Sequence, residues 1–136
     1  MLFIIEIKAE IMKTDLVEIF QTIRANLQPY TANGFAARIN SEDVYEVWAD
    51  KQIDANGEKR DVVCFSSVTI KEDYVELCLT PITEEPTLQD VVHPDLMQLR
   101  SENSCFKITE LDDAMVSKIA DALTAGFTSY KQKGWV

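Results

Sequence analysis

The residues that could do chemistry in this chain are few: one histidine, His93, three cysteines, Cys64, Cys78 and Cys105, and a surplus of carboxylates. A hydroxyl or thiol nucleophile needs a base within hydrogen-bond reach. His93 stands alone as His93-Pro94 in a proline-punctuated stretch, which reads as a loop or helix start rather than the base of a triad. No thiol has a basic neighbour in sequence to lower its pKa, and no two are closely spaced. Each lies in an apolar run where a thiol behaves as a small hydrophobe. The odd count predicts three free thiols used for packing in a reducing, cytoplasmic compartment. No catalytic residue is assigned.

Metal and phosphate motifs are equally sparse. Cys-x-x-Cys, His-Glu-x-x-His, EF-hand and phosphate-loop patterns are absent, and four glycines leave little with which to build a dinucleotide turn. No cofactor is required. Asp15 and Glu18 lie three apart and share a helix face, and Glu42 with Asp43 could approach it from a strand end. Such an oxygen-ligand ridge would hold iron weakly, as ferrous ion. The plainer account of the same residues is a solvated helix start with Asp15 answering the helix dipole.

Thirteen basic against twenty-three acidic residues give a formal net charge of −10. That field repels phosphate backbones and anionic lipid and attracts cations and basic protein patches. Nucleic acid and membrane surfaces are therefore excluded as expected partners. Residues 1–11 carry three charges, lack a basic start and are too short to span a bilayer, so they predict neither a signal peptide nor an anchor.

The elements that must position these residues follow from periodicity. Strict alternation over residues 5–11 predicts an edge strand, unless Met12 is the natural start and what precedes it an appendage. Thr14 as N-cap, then Leu16, Phe20, Ile23 and Leu27 at helical spacing, predict a first helix ended by Pro29. Residues 35–39 and 44–49 read as strands and residues 54–57 as a loop. Residues 60–70 and 74–82 read as a hairpin across Lys71-Glu72-Asp73. Residues 88–100 suggest one or two short helices, and residues 104–108 a last strand. Asp112 caps a terminal helix whose stripe of Met115, Ile119, Leu123, Phe127 and Tyr130 ends in Gly134, with Trp135 plugging the core. No linker or repeat divides the 136 residues, so a single domain is expected.

Strands in succession flanked by helices, without βαβ alternation, predict an α+β two-layer sandwich: an antiparallel sheet with helices packed on one face. Alternation places Val63, Phe65, Val75, Leu77 and Leu79 toward the helices, and Cys64, Ser66, Val68, Tyr74, Glu76, Cys78 and Thr80 on the other face. That second face mixes apolar, aromatic and polar groups. With Trp48 it makes a candidate surface for a small molecule or a protein, lined by Trp48, Cys64, Ser66, Tyr74 and Cys78; ordinary sheet cover or a dimer contact would look the same. Monomer and homodimer both remain open.

Tyr45-Glu46-Val47-Trp48, the run from Val63 to Val68, Pro81 with Pro86, and above all Ser104-Cys105-Phe106-Lys107-Ile108 resemble the YdhG-like bacterial family, a domain of unknown function. Asp112, the helix through Ile119 and Leu123, Gly126-Phe127, Tyr130-Lys131 and Gly134-Trp135-Val136 extend the likeness from about Thr14 to the end. The resemblance implies a compact α+β domain with helices on one side of an antiparallel sheet. Some relatives are described as frataxin-like intracellular iron chaperones, which would make this chain a non-enzymatic iron-binding module. Relatives carry Gly-Lys before the Ser-Cys-Phe strand and Lys just after it, where this chain has Glu102-Asn103 and Thr109. An anion site built on those lysines would be weakened here.

Overall fold

A computed structural model describes residues 12–50, 53–55, 58–60 and 62–136, the side chains of residues 53–60 excepted. The alternation expected over residues 5–11 lies outside them. Asp15, rather than Thr14, caps the first helix, α1 (Leu16–Leu27): its Oδ1 accepts from the Glu18 N–H at 3.0 Å. Ile19, Phe20, Ile23 and Leu27 form the buried stripe of α1, and a 3-10 turn (Gln28–Ala32) opened by Pro29 ends it.

Strands β1 (Phe35–Asn40) and β2 (Val44–Ala49) follow as a hairpin across Ser41, whose hydroxyl accepts from the Val44 N–H. Short strands β3 (Ile53–Ala55) and β4 (Glu58–Arg60) pair with each other, so part of the expected 54–57 loop is strand and the expected 60–70 strand is split. Next come β5 (Val63–Ile70) and β6 (Val75–Leu79), joined through residues 71–74 with Ile70 opposite Val75. Strand β6 ends three residues earlier than expected because Pro81 opens a helical turn, α2 (Pro81–Glu84). A 3-10 turn (Pro86–Asp90) and α3 (Pro94–Met97) occupy the proline-rich segment. Strands β7 (Arg100–Glu102) and β8 (Cys105–Ile108) form a tight hairpin turned at Asn103, the one non-glycine residue with positive φ among those described. The helical segment expected over residues 88–100 overlaps β7 only at Arg100, which is strand. Helix α4 (Asp113–Gln132), capped by Asp112, closes the chain.

The main sheet has the order β1-β2-β5-β6-β8-β7, antiparallel throughout. Along β2 and β6 buried and half-buried residues alternate strictly, as expected of a sheet with one face against a core. Tyr45, Val47, Phe65, Leu77 and Phe106 point into that core with α1 and α4 above them. The expected α+β sandwich with helices on one face is what the chain adopts.

Two glycines fix how α4 sits. At Gly126 an added Cβ would lie 2.7 Å from Pro81 Cγ, so only glycine lets α4 approach α2 this closely. At Gly134, φ is +76°, and the chain end returns on itself: the Trp135 N–H donates to the Tyr130 carbonyl at 2.9 Å and the Gly134 N–H to the Lys131 carbonyl at 3.0 Å. This is a Schellman closure, and its hydrophobic contact is the Trp135 ring 4.9 Å from the Tyr130 ring. Trp135 is buried, as expected of a core plug. Ion pairs from Lys118 to Asp95 and from Lys133 to Glu85, both at 3.0 Å, tie the proline-rich segment to α4 and hold both carboxyls below their usual pKa range.

Candidate functional site

With both long helices on one side, the other side of the sheet carries a row of half-buried side chains. On β2, Trp48 donates from Nε1 to Glu46 Oε1 at 3.0 Å, and the Arg38 guanidinium of β1 lies 5.6 Å from its ring. On the opposite flank Lys107 of β8 sits 4.5 Å from the Tyr74 ring, a cation over an aromatic face. Trp48 and Tyr74 therefore take the face the sequence assigned to them.

Ser66 does not. Opposite Val47 stands Ser66, but opposite the next residue, Trp48, stands Cys64, so β5 carries one extra residue, Phe65, in a β-bulge. Past the bulge the alternation inverts: Ser66 and Val68 turn into the helix-covered core, and Ser67 and Thr69 take the outward places. Ser66 is fully buried and its hydroxyl donates to the Cys78 carbonyl at 2.7 Å, which satisfies it within the core. A strand's period of two cannot be read through a bulge, and nothing in Val63-Cys64-Phe65-Ser66-Ser67 announces one.

The cysteines differ more sharply from expectation. Cys78 and Cys105 are directly opposed across β6 and β8, their Cα atoms 4.0 Å apart, and their sulfurs are bonded. Only Cys64 is a free thiol. Its Sγ lies 3.9 Å from the Val47 carbonyl, and burial pushes its pKa up to about 11, so it is a poor nucleophile. With two cysteines joined, the cysteine count no longer argues for a reducing compartment. The sequence hid the pair because the 20 residues between β6 and β7, including two helices, separate strands that adjoin in space.

Around the disulfide stand groups that sequence reasoning did not single out. Glu76 Oε1 is 3.7 Å from Cys78 Sγ and 4.0 Å from Lys71 Nζ, and Lys107 is the cross-strand partner of Glu76. Donor atoms of Glu76, Cys78 and Cys105 all lie within 4.8 Å of one another. Among the described residues this is the one set of three or more such donors close enough to share an ion. Asp15, Glu18, Glu42 and Asp43 do not form such a set. Asp15 is occupied as a helix cap, Asp43 accepts from the Ser41 hydroxyl, and Glu42 and Asp43 border a separate groove with Val17, Gln21 and Arg24.

His93 caps the four-residue α3, its Nδ1 accepting from the Asp95 N–H at 3.0 Å. This matches the helix-start role. Three grooves can be placed among the described residues. One, about 570 Å³, runs between the 3-10 turn (Pro86–Asp90) and α4, bordered by Leu88, Val91, Ala125 and Ser129. The second, about 540 Å³, is that of Glu42 and Asp43, and the third, about 140 Å³, lies at Met12 and Met115. None of the three is on the uncovered sheet face.

Comparison with family models, with curated proteins and with solved structures returns no match to this chain. No described helix is long and apolar enough to cross a membrane.

Proposed function

We propose that this chain is a non-enzymatic binding module that meets a protein partner through the uncovered face of its sheet. The observation that carries the reading is the one-sided stacking of α1 and α4. It leaves Trp48, Tyr74 and the Cys78–Cys105 bond half-buried on a rigid antiparallel surface. Half-buried aromatics clamped by Arg38 and Lys107 provide contact area at small conformational cost, because their rings are already held. Small ligands select concave sites, and the three grooves lie off this face, which favours a macromolecular partner. The resemblance to YdhG-like proteins accords with this reading.

Amide shifts in the oxidised protein, recorded against a panel of basic peptides, test it. Shifts at Glu46, Trp48, Glu76 and Lys107 are expected. Binding confined to the groove between the 3-10 turn and α4 would remove the proposal. The ferrous-iron reading now rests on the net charge of −10, because its four acidic residues do not converge. Anaerobic iron titration with no shift at Asp15, Glu18, Glu42 or Asp43 would end it.

A further inference from the structure

We infer that the Cys78–Cys105 disulfide is the oxidised state of a two-thiolate, one-carboxylate binding site for zinc, completed by Glu76. The inference rests on the reading of the uncovered sheet face as the working surface.

Cys78 and Cys105 occupy opposed positions on neighbouring strands, and Glu76 precedes Cys78 by two residues, so all three side chains project from one face. Strand β6 is paired on both sides, by β5 and β8, so the backbone beneath the donors is fixed. The two sulfurs are bonded to each other, and Glu76 Oε1 stands 3.7 Å from Cys78 Sγ, so the carboxylate lies beside the pair. Tetrahedral zinc with Zn–S bonds of about 2.3 Å holds two sulfurs about 3.8 Å apart. Opposed cysteines reach that separation by side-chain rotation once the S–S bond is gone.

Thiolates select zinc over hard cations, and a carboxylate is an accepted third ligand. The three donors are half-buried, and a fourth ligand would come from water or from a partner's side chain. The chain's net charge of −10 raises the local concentration of cations. Lys71 Nζ stands 4.0 Å from Glu76 Oε1, and Lys107 is opposite Glu76 on β8.

The chemistry balances with a small-molecule thiol as reductant. One thiolate attacks a disulfide sulfur, giving a mixed disulfide and one free protein thiolate, and a second displaces the other protein sulfur. Two electrons pass to the protein and the reductant leaves as its own disulfide. Zinc then binds both sulfurs as thiolates, releasing the two thiol protons. Disulfide and metal exclude each other, so the redox state of this pair decides whether the sheet face presents a cation.

Zinc titration of the whole chain, oxidised and phosphine-reduced, with a chromogenic chelator as competitor, tests the inference. The expected result is one zinc per reduced chain, with amide shifts centred on Glu76, Cys78 and Cys105, and at least a tenfold weaker affinity for the oxidised chain. Cys105→Ser should cost the reduced protein at least tenfold in affinity and Glu76→Gln about tenfold, whereas Cys64→Ser should leave it unchanged. Equal binding by both redox forms, full affinity in Cys105→Ser, or loss of fold on reduction overturns the inference. Should Cys105→Ser itself unfold, the redox comparison of the unaltered chain decides. Failure of zinc binding with peptide shifts intact removes this inference alone; peptide shifts lost with zinc binding intact remove the recognition reading alone.

Discussion

Breaking the Cys78–Cys105 bond should lower stability by an amount the chain length between the two residues sets. The bond closes a loop with a sequence separation of 27. In the chain-entropy account, such a crosslink removes about 12 cal/mol/K from the unfolded ensemble, about 3.5 kcal/mol at 25 °C. The native state loses little in exchange, because β6 and β8 remain held by their backbone ladder, with Leu77 opposite Phe106 and Val75 opposite Ile108. Unfolding 136 residues at about 2.1 cal/mol/K each gives an entropy near 290 cal/mol/K, so the melting midpoint should fall by about 12 °C. The assay is calorimetric or circular-dichroism melting with and without a phosphine reductant, alongside the double variant Cys78→Ser/Cys105→Ser, which should behave as the reduced protein does in both conditions. Thiol titration in denaturant fixes the redox state: one reactive thiol without reductant and three with it. Three thiols before reduction, or midpoints within about 2 °C of each other, would refute the reasoning.

The remaining predictions concern the buried thiol and the seating of α4. Cys64, held near pKa 11 against an ordinary value of 9.0, should react with a disulfide reagent at pH 8 about a hundredfold more slowly in the folded protein than in urea. Its raised pKa also means stability is intact below pH 9 and falls between pH 9 and 11 by up to about 1.4 kcal/mol per unit, as the unfolded chain ionises first. Denaturant midpoints that run level across this window in the unaltered protein, or drop no less in Cys64→Ala, would contradict that assignment. Gly126→Ala sets a Cβ 2.7 Å from Pro81 Cγ and should cost about 1–3 kcal/mol in urea unfolding, and an unchanged midpoint would mean α4 does not lie this close to α2. Asp112→Ala, which deletes the acceptor of the Met115 N–H at 2.8 Å, should cost about 1 kcal/mol, and Asp112→Asn much less; equal losses for the two would show that charge rather than capping is at work.

What the sequence determined by itself is the part of the structure that depends on local pattern. The stripe of Ile19, Phe20, Ile23 and Leu27, the Asp112 cap, the alternation of β2 and β6, and the glycine-closed end at Gly134 each report interactions within a few residues. Together they were enough to fix an antiparallel sheet with helices on one side. They also placed Trp48, Tyr74 and Cys78 outward and Trp135 inward. His93 as a helix start was legible for the same reason, since its partner is two residues away.

Tertiary structure alone decided which distant residues meet. The bulge at Phe65 belongs to the pairing of β2 with β5, strands distant in sequence, and it sends Ser66 inward against the simple alternation. The join of Cys78 to Cys105 exists because β8 returns beside β6 after a helical excursion, a pairing set by long-range burial of Leu77 and Phe106 rather than by any spacing in the chain. The same long-range arrangement disperses Asp15, Glu18, Glu42 and Asp43 and gathers Glu76, Cys78 and Cys105 in their place. Side-chain chemistry is written in the sequence, but proximity is produced by packing, and this site is made of proximity.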